Sequence, residues 1–198
     1  MSIHVHLAEM MNRQYGAIGR WQMLDAGFTE RQIDRRVSSQ RLVLLARGIY
    51  TLPETERTWE QRAVAAWLVS ADRLYPAALS HRTAAAFPGF PGFERIGSPY
   101  LLAAAGSRHP NPLGMVMRRR DLESTDLIRH ESGVTMTNPV RTTIDLLMSD
   151  ARPAKAQQLL DSALSSGLVD MASLKARFAP LAAANKAGVA HVKPLLCV

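Results

Sequence analysis

The chain has 198 residues, 47% of them hydrophobic, enough to bury a core in one or two domains and to predict a folded globular protein. Its 24 lysines and arginines against 17 acids give a formal charge of +7, which favours an acidic polymer as partner, although only four of these cations are lysine and codon bias can contribute to the arginine excess. A single cysteine, Cys197, excludes an internal disulfide framework, and there is neither a secretory signal nor an apolar run of ~18 residues, so a reducing, cytoplasmic setting without membrane contact is expected.

At the N-terminus His4 and His6 alternate without a companion ligand, which predicts a frayed terminus rather than a metal pair, and neither metal nor cofactor is expected. From Gly16 to Leu52 the chain reads as a winged helix-turn-helix. Ile18, Trp21 and Leu24 recur at helical spacing and predict the buried face of a first helix, which Gly27 ends by taking a positive φ. Thr29 and Gln32 have the spacing of a capping box for a second helix, and Phe28 and Ile33 that of a hydrophobic staple. Ile33 and Val37 then point inward and leave Arg31, Gln32, Arg35, Arg36, Ser38 and Ser39 toward solvent. The apolar run Leu42 to Ala46, the pair Arg47-Gly48 and the run Ile49 to Leu52 predict two strands around a tight turn, the wing.

Between Arg13 and Tyr50 seven arginines stand against three acids. Residues 1–53 are therefore expected to form a DNA-binding domain with its second helix in the major groove. Arg20, Thr29, Arg31, Gln32, Arg35, Arg36, Ser39, Arg41 and Arg47 are the candidate DNA-binding residues. Arg47, with Arg20 and Arg41, is expected on flanking phosphates. Arginine reaches guanine and phosphate alike, so the operator sequence is not legible in these side chains.

Residues 54–198 predict a second, α+β domain, a small mixed sheet followed by a helical block. Thr58 and Gln61 suggest a capping box opening a helix with Ala63, Val64, Trp67 and Leu68 inward. Short apolar runs at 77–79, 100–105, 115–117, 125–128 and 134–137, separated by prolines and glycines, predict strands, with a short helix after Ser80 as its cap. Asn138 caps a helix with Pro139 at its first position and Val140, Ile144, Leu147 and Met148 as its stripe. Further helices are expected from Ala154 to Ser166, from Asp170, and from Leu181 to Leu196.

The winged helix, the run LSHRTAA from Leu79 to Ala85, the turn-rich sheet and the run VTMTNPVRTTIDLL from Val134 to Leu147 together resemble the AbiEi-type antitoxins of bacterial toxin-antitoxin operons, over nearly the whole chain. The resemblance implies that the N-terminal domain binds inverted repeats in its own promoter and represses the operon, while the C-terminal domain opposes a cognate nucleotidyltransferase toxin. Inverted repeats require two copies, as a homodimer or as cooperatively binding monomers. His81, Arg82, Arg141 and Asp145 are the candidate toxin-neutralising or interdomain residues. Ser80 and His81, adjacent at a helix start, otherwise read as a cap and a polar surface or interdomain histidine, and Arg141 and Asp145, four apart, as an intrahelical ion pair.

Two enzyme readings are set aside. Gly106-Ser107 followed by Asp121 and Glu123 is similar to the triphosphate loop and metal-binding acids of nucleotidyltransferases, but Pro110, Pro112 and Gly114 interrupt the helix such a loop needs. Longer relatives continue into a restriction-type nuclease, whose site places an acid two residues before a lysine, yet Pro153, Ser173, Ala184 and His191 occupy those positions here. A binding protein without catalytic residues is expected. The other reading left open is a ligand-responsive winged-helix regulator unconnected to a toxin.

Overall fold

The structure is a computed structural model that describes residues 3–71, 77–93, 97–104, 111–119, 121–149, 152–184 and 187–196. The architecture is mixed α+β. It opens with helices α1 (Ile3–Arg13), α2 (Arg20–Asp25) and α3 (Glu30–Ser38), and with strands β1 (Ile18–Gly19), β2 (Val43–Ala46) and β3 (Ile49–Thr51). The strands form an antiparallel sheet in the order β1-β3-β2, with Ile18 opposite Tyr50 and Val43 opposite Thr51.

Three helix ends shape this first part, and each follows one pattern. Tyr15 (φ 52°), Gly27 (φ 93°) and Gln40 (φ 56°) take the left-handed conformation just past α1, α2 and α3. The next N–H then reaches back five residues: Gly16 to the Met11 carbonyl at 2.7 Å, Phe28 to Met23 at 3.0 Å, Arg41 to Arg36 at 2.9 Å. These are Schellman ends, which satisfy carbonyls the last helical turn would leave open. Gly27 follows the expectation, whereas Tyr15 and Gln40 carry no glycine signal in the sequence.

The first helix departs from its expected stripe. Ile18 is buried, but in β1 rather than in the helix, Trp21 is half-buried, Leu24 is 37% exposed, and Met23 takes the fully buried place. Pairing of Ile18 with Tyr50 delays the helix to Arg20 and so rotates its inner face. The N-terminus also differs from the frayed segment expected: α1 turns Leu7 and Met11, one helical turn apart, into a core with Ile18, Met23, Phe28, Ile33, Leu42 and Tyr50.

Helix α4 (Trp59–Ala71) follows, with Thr58 Oγ1 accepting the Gln61 N–H at 3.2 Å. The Gln61 side chain does not complete the box; its amide donates to the Tyr15 carbonyl and to Thr51 Oγ1, both at 3.1 Å. Ala63 to Leu68 are buried all round and join Ala17, Ala46 and Ile49 in one apolar cluster, so packing is continuous across residues 53 and 54.

The second sheet holds β4 (Ala77–Leu79), β5 (Tyr100–Ala104), β6 (Met115–Arg119), β7 (Leu127–Arg129) and β8 (Thr135–Thr137), in the order β6-β5-β4-β8-β7. It is mixed: β4 runs antiparallel to β5 and parallel to β8, and β6 runs parallel to β5. Alternate residues Ala77, Leu79, Leu101 and Ala103 pack with α4. Helix α5 (His81–Ala86) leads from β4 into the turn-rich stretch. The strand expected over 125–128 begins instead after a 3-10 turn at Ser124–Asp126.

Helices α6 (Pro139–Ser149), α7 (Pro153–Ser165), α8 (Met171–Ala183) and α9 (Val189–Leu196) form a block with its own apolar core. Asn138 Oδ1 accepts the Arg141 N–H at 2.8 Å, so the expected cap is in place, and α8 starts at the expected Asp170, whose Oδ1 accepts the Ser173 N–H at 2.8 Å. Two expectations change here. Helix α6 is buried from Arg141 to Met148 rather than along one stripe, because α5, α7, α8, α9 and β8 all pack on it. The last helix begins at Val189 rather than Leu181, since α8 carries on to Ala183, which Pro180 permits because the N–H it lacks leaves one helical bond open but does not reverse the chain. Among the described residues no helix is long and apolar enough to cross a membrane.

Candidate nucleic-acid interface

Helix α3 is fixed at its start by a reciprocal pair of bonds. Thr29 Oγ1 accepts the Gln32 N–H at 3.3 Å, and Gln32 Oε1 accepts the Thr29 N–H at 2.9 Å. Phe28 and Ile33 share the core beneath it, as the staple spacing predicts. Thr29 and Gln32 are thereby occupied in holding the helix, though both remain exposed.

The arginines divide into anchored and unengaged groups. Arg36 lies with its guanidinium 4.7 Å from the centre of the Phe28 ring and donates to the Gln32 carbonyl at 3.1 Å. Arg20 donates to Asp34 Oδ1 at 2.8 Å across the turn between α2 and α3. That hydrogen bond holds the Arg20 guanidinium above its ordinary pKa, against a smaller opposing effect of burial. Arg31, Arg35, Arg41 and Arg47 are exposed, and among the described residues their guanidinium groups make no hydrogen bond or ion pair. Arg31 and Arg35 stand one turn apart on a single face of α3. Ser39 is exposed at the helix end, its hydroxyl donating to the Arg36 carbonyl at 3.3 Å.

The hairpin turn is tied to the helices. Gly48, at φ 76°, allows the tight turn after Arg47, and its carbonyl accepts the Arg20 N–H at 2.7 Å. Arg20 and the turn bearing Arg47 are thus adjacent. The β2–β3 pairing behind them carries an irregularity between Leu44 and Ala46.

The candidate residues of the second part sit in two different settings. Arg141 and Asp145 are each 1% exposed and paired at 3.1 Å; the intrahelical ion pair is present, and burial leaves them no surface to offer a partner. Arg141 also reaches Asp126 at 3.1 Å and Asp121 at 3.4 Å, and Arg177 on α8 reaches Asp126 at 2.6 Å and Glu123 at 3.5 Å. Burial works against the Asp126 carboxylate, but hydrogen bonds from Arg177 and the Glu123 N–H, with the Arg141 charge, hold its pKa below the ordinary value. This network consumes the acids of the nucleotidyltransferase-like pattern, Asp121 and Glu123, as partners of arginines; Gly106 and Ser107 lie outside the described residues. Periodicity marks Arg141 and Asp145, but nothing in the sequence marks Arg177, which is 51 residues from Asp126.

His81 is 3% exposed rather than a surface histidine, and at φ 50° it departs from normal helical entry. Ser80 makes no side-chain cap; its hydroxyl lies 3.0 Å from His81 Nδ1, because extended Ser80 followed by left-handed His81 folds the ring back on it. Ser80 is fully buried, so its hydroxyl has no access to a substrate. His81 and the exposed Arg82 line a cleft of about 740 Å³ together with residues of α6 and α7.

No family model and no curated protein matches this chain. The fold is similar to that of the Rv2827c protein from Mycobacterium tuberculosis, with a TM-score of 0.52, 16% identity, and coverage of 86% of this chain and 71% of that one. At that identity the likeness extends to the fold alone.

Proposed function

We propose that the protein is a winged helix-turn-helix DNA-binding repressor of its own operon and the antitoxin of a toxin-antitoxin pair, acting in the cytoplasm. Residues 16–52 have the element order of such a reader, with α2 and α3 as the helix pair, α3 in the major groove and the β2–β3 hairpin as the wing on the flanking backbone. The observation that carries this reading is the set of four exposed guanidinium groups, Arg31, Arg35, Arg41 and Arg47, without internal partners among the described residues, around a helix whose start is locked by its capping box. Cations without internal partners break no ion pair of the fold when they reach phosphates, and binding them there releases counterions. The formal charge of +7 works in the same direction.

The second part would oppose a nucleotidyltransferase toxin. That part of the proposal rests on the resemblance of the runs at 79–85 and 134–147, whose middle, Arg141 to Asp145, belongs to the buried core rather than to a contact surface. Toxin contact would therefore fall on exposed residues around them, of which Arg82 is one.

The experiment is a gel shift of the upstream region of the protein's own gene with the full chain, over a range of salt. Binding to one discrete fragment that weakens steeply with salt supports the repressor. Absence of a shifted band at moderate salt would overturn it. Co-purification with the product of the neighbouring gene, and rescue of cells expressing that product, tests the antitoxin part separately.

A further inference from the structure

The cleft beside His81 and Arg82 has a chemistry that the DNA reading does not use. It opens between α5, the β5–β6 side of the sheet and the start of α7, and its volume of about 740 Å³ falls within the roughly 300 to 1,000 Å³ typical of small-molecule sites. One part of its wall is apolar and aromatic, with Phe93, Tyr100, Met117 and Leu159. The other is basic, with Arg82 on α5 and Arg152 and Lys155 at the start of α7, and no Asp or Glu among the described residues lines it. Lys155 is exposed and makes no ion pair among the described residues, and the Arg82 guanidinium lies 5.6 Å from the centre of the Phe93 ring. Arg82 and Lys155 bring positive charge to one opening from two separate elements, where an anion seated between them is attracted by both.

A second observation marks the same place. His81, which lines the cleft, holds φ at 50° while 3% exposed, a left-handed backbone state that non-glycine residues adopt only at a cost in free energy. Its ring packs on Tyr100 with centres 5.6 Å apart. The strain thus sets an aromatic wall in the cleft, and residues so held gather at ligand clamps.

We propose that this cleft binds a planar organic anion, with the ring against Tyr100 and Phe93 and the acidic group on Arg82 and Lys155. A ring alone would forgo the cations, and a bare inorganic anion would leave the aromatic wall wet. The acidic group can be a phosphate or a carboxylate.

The test is a nuclear magnetic resonance titration of the isotope-labelled full chain with adenosine monophosphate, with 2-naphthoate and with inorganic phosphate. The expected result is saturable shifts of the amides of Arg82, Phe93 and Lys155 with at least one aromatic anion. Binding of adenosine monophosphate shows that the cleft accepts a phosphate as the acidic group, and binding of 2-naphthoate that it accepts a carboxylate. Lys155→Glu should weaken that binding about tenfold or more, and Arg82→Gln by about threefold to tenfold. Lys155 is exposed, so its replacement leaves the core intact, and the dispersion of the spectrum verifies this. Arg47→Ala should leave the titration unchanged, which separates this cleft from DNA binding. Shifts that do not saturate, or that survive Lys155→Glu undiminished, would overturn the proposal. Inorganic phosphate binding as tightly as the aromatic anions would overturn its planar part.

Discussion

The Arg20 N–H donates to the Gly48 carbonyl at 2.7 Å, which fastens the start of α2 to the hairpin turn that carries Arg47. A hairpin held in this way presents its arginine at a set distance from α3, and α3 is itself held by Thr29 and Gln32. The two cation sets are therefore expected to act differently. Arg35→Ala should weaken binding to the operator by ~1 to 3 kcal/mol and relax its sequence preference, whereas Arg47→Ala should lower affinity about equally for all sequences and reduce the salt slope by about 1. Competition gel shifts with operator and unrelated DNA read both outcomes.

The buried arginine network sets the strongest expected loss of stability. Arg141 is 1% exposed and bonds Asp145, Asp126 and the Asp121 carbonyl, so Arg141→Leu strands carboxylates that can no longer reach water. Breaking a buried pair from one side costs about 3 to 5 kcal/mol. Urea unfolding should show a loss of that size with little change in slope. Arg177→Ala should cost less, since Asp126 keeps Arg141 and the Glu123 N–H as partners.

Asp126 gives the protein an acid-sensitive element. Its folded pKa lies below the ordinary value despite burial, because Arg177, the Glu123 N–H and Arg141 favour the charged form. An unfolded aspartate titrates at about 3.9, so on acidification the unfolded chain takes up the proton first. The stabilisation is complete above that pH and is lost as pH falls through the folded value. Melting temperature should thus drop below about pH 4, and Asp126→Asn should be less stable at neutral pH with a shallower acid limb.

Gln40 offers a gain. It holds φ at 56° at the end of α3, where its N–H donates to the Val37 carbonyl at 3.0 Å and the Arg41 N–H to Arg36 at 2.9 Å. Gly fits that left-handed position without steric cost, although it adds freedom to the unfolded chain. Gln40→Gly should raise stability by up to about 1 kcal/mol, or roughly 2 to 4 °C in melting temperature by calorimetry.

Local signals were legible where a short-range bond makes them. Thr29 with Gln32, Asn138 before Pro139 and Gly27 after α2 are all found as their spacing predicts, since each involves partners within a few residues. The stripe of Ile18, Trp21 and Leu24 misleads because strand pairing to Tyr50, 32 positions along by the register Ile18↔Tyr50, sets where the helix begins. Helix periodicity carries no information about such a partner. The exposed arginines of α3 were legible as a face, yet only the folded chain separates Arg20 and Arg36, which are held by Asp34 and Phe28, from Arg31 and Arg35, which are not.

By itself the sequence determined the mixed α+β character, the capped starts of α3 and α6, and an arginine-rich N-terminal quarter, all of which follow from composition and from contacts within one or two turns of the chain. Tertiary structure alone decided that Arg141 and Asp145 belong to the core with Asp126 and Arg177, that α4 packs against both sheets, and that Arg82, Phe93 and Lys155 share one cleft. The physical reason is the same in each case. Burial and charge neighbourhood depend on residues tens of positions apart, and the chain brings these together only when the apolar surfaces of its elements are removed from water.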